Sequence, residues 1–240
     1  SNAWNNAGTG HAALCELNYM PDDRPGDIPS AEKAISINQQ FQESREFWAS
    51  LVKDGVLGDP ESFIRSVPHM TFVRGAKDVD YLERRYKALK DQPLFAGIEF
   101  SKDFGEVAKW IPIMMEGRDS TKIAATRIEQ GTDVDYGALT EQLCAWLRTR
   151  DVEVLTGHEV RSLKKVKDSW LIAGKNSNAR FTFIAPRVFV GAGGWALKLL
   201  QKAKIKEING YGTFPVSGHF LKTENPELVA RHQAKVYSQA

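Results

Sequence analysis

Between residues 30 and 55 the apolar positions Ile35, Phe41, Phe47, Trp48, Leu51 and Val52 recur at helical spacing and stop at Gly55, which predicts an amphipathic helix. Ser30 stands where an N-cap belongs and Glu32 suits the first turn, while Lys33 occupies the place of a capping-box glutamate and leaves that box incomplete. A second stripe, Val79, Leu82, Tyr86 and Leu89, predicts a helix over 78–90. A third, Leu139, Leu143, Trp146 and Leu147, predicts one over 135–149, and shorter helices are expected at 102–110 and 195–203. Phe41, Phe47, Trp48 and Trp146 fall on these stripes and read as core aromatics.

Runs of β-branched and aromatic residues predict strands at 69–73, entered through a kink at Pro68, then at 97–100 and 122–129. A series of short strands follows at 153–155, 158–166, 170–173, 180–184 and 187–190. The last of these is closed by Gly191-Ala192-Gly193-Gly194, and a final strand is expected at 212–221. Residues 4–21 read as a loop running into a short regular piece, 21–29 as a proline-and-aspartate surface connection, and the stretch through Met115 as an apolar segment limited by proline. This order is neither strict alternation nor all strand, so the fold class expected is α+β or mixed α/β.

Composition narrows the function without choosing it. At 240 residues, 42% hydrophobic and 26% charged, the chain holds enough apolar material for one or two cored domains. Its 32 basic and 30 acidic residues nearly cancel and form no long basic run, so nucleic acid is not an expected partner. Cys15 and Cys144 are too far apart in sequence to suggest a disulfide framework or a clustered metal site. No stretch approaches the roughly 20 apolar residues of a membrane span, so any membrane contact is expected to be peripheral. Ser1-Asn2-Ala3 matches the scar of a removed expression tag but reads equally as native sequence, and the missing initiator Met agrees with a truncated chain either way.

Two stretches stand out as candidate chemistry. In Trp4-Asn5-Asn6-Ala7-Gly8-Thr9-Gly10-His11, followed by Leu14-Cys15-Glu16-Leu17-Asn18-Tyr19, Gly8 and Gly10 flank Thr9 behind two amide side chains, which lets a ligand approach the backbone and offers donors; a tight polar loop is the plainer reading. The second joins Gly131-Thr132-Asp133-Val134-Asp135-Tyr136 to the helix ending near Arg150, then to Val154, Val160, Trp170 and finally Val188-Phe189-Val190-Gly191-Ala192-Gly193-Gly194-Trp195, where an expected strand turns through glycines into a helix. That arrangement either presents backbone N–H groups to a ligand or lets the helix pack tightly on the strand.

The order of these pieces resembles the flavoproteins of the D-amino-acid oxidase and sarcosine oxidase type. Within them, Asn5-Asn6-Ala7-Gly8-Thr9-Gly10-His11, Ser66-Val67-Pro68-His69-Met70, Met115-Glu116-Gly117-Arg118, Ala124-Ala125-Thr126-Arg127 and Gly191-Ala192-Gly193-Gly194 resemble the malate:quinone oxidoreductase family in particular, over nearly the whole chain. The resemblance implies part of an FAD-binding domain plus an antiparallel-sheet substrate domain with helices. It divides the chain into a flavin-contacting loop and connection (1–29), a substrate-domain part (30–130), an FAD-binding part (131–203) and a return to the substrate domain (204–240) through Phe214-Pro215-Val216. In such proteins an N-terminal strand, a GxGxxG turn and an acidic residue hold the ADP half of FAD. These are not found here, so the chain is expected to start just downstream and not to retain FAD by itself. The resemblance places Asn5, Asn6, Gly8, Thr9 and Gly10 near the flavin and its phosphates, the backbone around Val160 at the adenine, and Gly191, Ala192, Gly193 and Gly194 beside the cofactor. Gly218-His219-Phe220 departs from the expected wording, which has Gln in the middle.

The activity implied is oxidation of malate to oxaloacetate in the tricarboxylic acid cycle. Electrons would pass through FAD to a membrane quinone, in a bacterial enzyme bound peripherally at the cytoplasmic face of the membrane. Such chemistry needs a base for the hydroxyl proton and cations for two carboxylates. His69 is the first candidate base and His11 the second. Arg127, Arg74 and Arg65 are the candidate carboxylate clamps, because a guanidinium matches carboxylate geometry. Lys87, Lys90 and the basic pair at Arg84 read as a solvated helix face, and Cys15 as a small buried residue. Two rivals stand beside this reading: another FAD-dependent 2-hydroxy-acid or amine oxidase of the same fold, and a non-catalytic interaction module on that scaffold. Absence of a parallel strand would leave apolar sheet edges unpaired and favour a dimer.

Overall fold

The structure, a computed structural model, describes residues 3–22, 24–119, 122–214 and 221–238. The chain forms two compact units, one of Ser1–Val152 with Lys222–Ala240 and one of Glu153–Leu221.

In the first unit, helix α1 (Glu32–Lys53) is followed by strands β1 (Ile64–Ser66) and β2 (His69–Arg74), helix α2 (Ala76–Leu89), strand β3 (Glu99–Ser101) and helices α3 (Phe104–Trp110) and α4 (Pro112–Met115). Strands β4 (Ile123–Ile128) and β5 (Thr132–Val134) and helix α5 (Tyr136–Arg148) come next. The second unit holds strands β6 (Glu159–Val166), β7 (Ser169–Lys175) and β8 (Arg180–Ala185), with helix α6 (Ala196–Lys202). Helix α7 (Pro226–Arg231) and strand β9 (Lys235–Tyr237) return to the first unit.

The main sheet runs β3-β4-β2-β9, with β2 antiparallel to β4 and parallel to β9. Directly opposed residues share a face, so His69 lies with Ile128, Thr71 with Thr126 and Val73 with Ala124, while Met70 lies with Arg127 and Phe72 with Ala125. Both faces are covered. Helix α2 packs Val79 and Leu82 on Val73 and Ala124, and Val107, Ile111 and Met115 of α3 and α4 pack on Met70, Phe72, Ile123 and Ala125. A third cluster joins Ala12, Ala13, Leu14 and Met20 to Ala34 and Phe41 of α1 and to Leu89, Ile128 and Val134. Both faces of β2 are therefore buried, continuously rather than in alternation over His69 to Val73, although one face carries His69 and Thr71.

The mixed helix-and-sheet class is as expected, and each longer predicted helix forms. Several details differ. Helix α1 starts at Glu32 with Ala31 as its cap, and Ser30 Oγ accepts the Glu32 N–H from one position further out. Phe47 is 60% exposed, because at 3.6 residues per turn it lies roughly 120° around the helix from Phe41. Trp146 is only half-buried, its ring under the Arg150 guanidinium. Arg84 and Arg85 are not a solvated face: Arg84 is held by Asp22 and Asp80, each at 2.9 Å, and Arg85 is fully buried, donating to the Ala13 carbonyl at 2.9 Å.

Residues 153–155 and 187–190 form no strand. A strand exists only with a hydrogen-bonded partner, and these apolar runs find none among the described residues. Of the predicted strand 212–221, residues 212–214 and 221 lie outside regular structure, and 215–220, with Pro215, Val216 and His219, lie outside the described residues. Strands β1, β5 and β9 and helix α7 were not expected from the pattern.

Candidate functional site

The segment from Trp4 to Met20 lies against β5, β2 and α2, and its glycines are explained by that contact. Gly10 N–H donates to Thr132 O at 3.0 Å and Val134 N–H to Gly8 O at 2.7 Å, so Thr9 bridges Asp133. Gly8 has φ +68°, and its N–H donates to Asn6 Oδ1 at 2.8 Å. A Cβ on Gly10 would sit 2.0 Å from Thr132 Oγ1 and 2.5 Å from Phe41 Cζ. Further along, Thr71 Oγ1 donates to Cys15 O at 2.8 Å and Tyr81 Oη to Met20 O, which fastens the segment between β2 and α2.

Strand β9 anchors the other side of the loop. Lys235 Nζ donates to Ala7 O at 2.6 Å and lies 3.0 Å from Asp133 Oδ1, and Tyr237 Oη is 3.0 Å from Thr9 Oγ1. Asn5 and Asn6 are exposed, and Asn6, Ala7 and Gly8 line a shallow hollow with Trp4, Asp133 and Tyr136.

The two candidate bases differ sharply. His69 is fully buried, with Nε2 3.0 Å from Thr132 O. A carbonyl acceptor puts the hydrogen on Nε2, and no described residue bonds Nδ1. Burial lowers the pKa of this ring despite its bond to Thr132, so it is a neutral, sealed imidazole. His11 is half-exposed, and its Nδ1 lies 2.7 Å from Oε1 of Glu16, whose side chain is only 3% exposed. Burial opposes ionisation of Glu16, but the His11 contact, a backbone N–H and the fields of His11 and His69 outweigh it and hold the carboxyl below its ordinary pKa. The same contact raises the pKa of His11 against desolvation and the nearby Lys235.

The candidate arginines do not converge. Arg127 lies on the face of β4 opposite to His69, with its guanidinium 5.9 Å from the Trp110 ring centroid and in ion pairs with Glu99 and Glu129 at 3.5 and 2.5 Å. Arg74 is exposed at the far end of β2, roughly 17 Å of strand from His69. Arg65 is exposed on β1 opposite Asp133, its Nε donating to Glu61 O at 3.0 Å.

In the second unit Val160 pairs with Gly174 on β6, just before a register irregularity at Ser162, and is exposed. Residues 188–192 are irregular and lead into a single 3-10 turn, Gly193–Trp195, that opens α6. Gly193 has φ +53°, and a Cβ on Gly193 or Gly194 would meet no atom within 4 Å. Unlike Gly8 and Gly10, these glycines are not needed for packing within the described chain. They leave bare backbone that a bulky planar or anionic group can approach, so the stretch fits the flavin cofactor implied by the sequence.

The family model of malate:quinone oxidoreductase matches residues 1–240. The chain belongs to the malate:quinone oxidoreductase family. It is 57% identical over 244 residues to a probable malate:quinone oxidoreductase of Leifsonia xyli subsp. xyli, covering all of this chain and 50% of that protein. It is 52% identical to the same kind of protein from Kocuria rhizophila, covering 100% and 49% respectively. The chain therefore spans about half the length of the curated relatives it matches. Among solved structures it is similar to an L-alpha-glycerophosphate oxidase of Mycoplasma pneumoniae with FAD bound, at TM-score 0.57 and 18% identity, covering 85% of this chain and 47% of that one. It is similar also to a glycine oxidase of Geobacillus kaustophilus, at TM-score 0.53 and 15% identity, covering 82% and 48%. At these identities the likeness shows the fold of this malate:quinone oxidoreductase family member.

Four residues of the family member's loop region carry contacts to which the sequence gave no role: Glu16 and Asp133, which lie inside the two candidate stretches, and Lys235 and Tyr237, which lie outside them. The alternation Lys235-Val236-Tyr237 was the available signal for β9, since it sets both polar side chains on one face of a short strand. Among the described residues no helix is long and apolar enough to cross a membrane.

Proposed function

We propose that this chain is a segment of a flavoenzyme that oxidises malate to oxaloacetate and passes the electrons through FAD to a membrane quinone, at the cytoplasmic face of a bacterial membrane. The observation that carries the proposal is identity of 50–57% over essentially the whole chain to bacterial proteins each described as a probable malate:quinone oxidoreductase. FAD bound to the full-length protein would supply the two-electron acceptor.

The residues here have supporting tasks. Asn5, Asn6, Gly8, Thr9 and Gly10 present a backbone already fixed by β5 and β9, and Gly191, Ala192, Gly193 and Gly194 present one left open. Val160 contributes strand backbone in the same unit as that open turn. Arg65, exposed and on the same strand pair as the loop, is the arginine best placed to meet a substrate carboxylate, because Arg127 is already committed to Glu99 and Glu129. His69 is sealed, so its task is structural. The division of the chain into flavin-binding and substrate-binding parts belongs to this same proposal.

The test compares this chain with the full-length protein that contains it, by quenching of flavin fluorescence and by malate-dependent reduction of a soluble quinone. Binding and turnover are expected in the full-length protein, and no FAD retention in this chain alone. Failure of the full-length protein to bind FAD would overturn the proposal and favour an interaction module. Turnover of an amino acid in place of malate would favour the amine-oxidase reading.

A further inference from the structure

We propose that His11 and Glu16 form a proton-accepting dyad, in which Glu16 is a positioning residue that holds the imidazole through Nδ1 and His11 Nε2 takes the hydroxyl proton of a 2-hydroxy acid. The proposal rests on the malate-oxidising reading above and goes beyond it by naming the acceptor and what orients it.

The geometry is that of a base held by an orienting group. Glu16 Oε1 lies 2.7 Å from His11 Nδ1, and Oε2 accepts the Cys15 N–H at 3.3 Å. The contact is an ion pair rather than an aligned hydrogen bond, Oε1 having no hydrogen-bond partner among the described residues; the carboxylate's charge beside Nδ1 favours the hydrogen on that nitrogen and leaves a lone pair on Nε2. The His11 side chain is 52% exposed and that of Glu16 only 3%, so a substrate can reach the imidazole and cannot reach the carboxylate. No described residue bonds Nε2. His69, the other histidine of the region, has the reverse arrangement: it is sealed, and its Nε2 is occupied by Thr132 O.

The chemical step balances at the substrate. The O–H bond breaks and its proton moves to Nε2. The electron pair left on oxygen would become the second bond of the new carbonyl as the hydrogen on the same carbon leaves as hydride, for which bound oxidised FAD would supply the acceptor. Glu16 stays ionised throughout and stabilises the imidazolium that forms.

Charged and titratable groups around the dyad set its pH dependence. Within the loop segment these are Glu16, Cys15 and Tyr19; β2 contributes His69; α2 contributes the buried Arg85; β9 contributes Lys235 and Tyr237. Glu16 favours the imidazolium and Lys235 opposes it, with Glu16 prevailing. Because the acceptor must be neutral, turnover is expected to rise with pH through a His11 pKa lying above the ordinary histidine value.

Two measurements test the proposal separately. The first is an NMR titration of labelled histidines in this chain, with His11 assigned from its loss in His11→Gln. A pKa above 6.5 is expected, with a downward shift in Glu16→Gln; an unshifted His11 in that variant overturns the dyad whatever the activity. The second is the pH profile of kcat/KM in the full-length enzyme. Its acid limb should follow the His11 pKa, and His11→Gln should lose that limb and about 10²–10⁴-fold in kcat with KM little changed. Glu16→Gln added to His11→Gln should cost nothing further. An unchanged profile in His11→Gln overturns the acceptor role. If Glu16→Gln does not fold, Glu16→Asp serves in its place: a His11 pKa moved from the wild-type value supports the dyad, and an unmoved one overturns it. A wild-type enzyme that does not oxidise malate would sink the functional reading while leaving the titration result standing on its own.

Discussion

A Cβ at Gly131 would sit 2.3 Å from Cδ2 of His69 and 2.4 Å from the backbone oxygen of Val67, so the absence of a side chain there is what lets the His69 ring pack against the backbone just before β5. Neither neighbour can yield cheaply, one being backbone and the other a ring enclosed on all sides. Gly131→Ala is therefore expected to destabilise the fold by about 1–3 kcal/mol, the usual cost of overpacking, read as a lowered urea midpoint at unchanged slope. An unchanged midpoint would show that the ring has room to move. His69 also makes stability depend on pH. Burial lowers its pKa, so below the unfolded value of about 6.5 the unfolded chain takes up a proton that the folded chain refuses, and stability falls as pH drops toward the folded value. His11 acts with the opposite sign: its pKa is raised, so its contribution is fully present below the unfolded value and is lost as pH rises through the folded one. His69→Leu should flatten the acid-side loss, measured as the difference in unfolding free energy between about pH 7 and about pH 5.5. A loss as steep as in the wild type would place its origin elsewhere. At this scale the sequence was only partly legible. His69 could be picked out as the residue after Pro68 that starts a strand, but its burial depends on Gly131, far along the chain; Glu16 lay within a candidate stretch, but its pairing with His11 depends on how the loop folds back between them.

Elements were legible where their period was long. Helices α1, α2 and α5 each run 13 residues or more and announced themselves through repeated apolar spacing, whereas β1, β5 and β9 are 3 residues each, and a single alternation such as Lys235-Val236-Tyr237 is too short to stand out. Helix α7 did carry a readable start: Asn225 accepts from Glu227 and Leu228 N–H, with Pro226 in the first turn. The runs at 153–155 and 187–190 show the converse case, apolar stretches with strand composition and no ladder. Strand β9 matters out of proportion to its length, since its Lys235 and Tyr237 reach across to Ala7, Asp133 and Thr9. Lys235→Met removes the cation and keeps the stem. It should leave global stability nearly unchanged while speeding hydrogen exchange at the amides of Gly10 and Val134, which close the loop onto β5. Exchange no faster than in the wild type would mean that the β5 contacts hold the loop without help. The same variant removes a charge that opposes protonation of His11, so the His11 pKa should move further up.

At the scale of the whole molecule, the two units are unequal in how well they bury apolar surface. The first contains all four clusters of the core. In the second, Leu163 alone among the described large apolar residues is fully buried, while Ile184 is 75% and Phe189 95% exposed, with Val160, Val166, Phe183 and Trp195 also open to solvent. A three-stranded antiparallel meander with β6 and β8 as free edges is close to the smallest sheet that holds together, and exposed apolar strands invite pairing with another chain. The resemblance had led to the expectation of a dimer through an unpaired edge, and the exposed side chains of β8 and of residues 188–190 are the surface such a contact would use. In this chain, self-association is expected to grow with protein concentration in sedimentation velocity, together with binding of a hydrophobic dye. Ile184→Lys and Phe189→Ser should each weaken both signals without shifting the unfolding of the first unit, because neither residue belongs to its core. A chain that sediments as a monomer at every concentration would overturn the edge-pairing argument. If association persisted in both variants, the contact would have to be sought on the first unit instead.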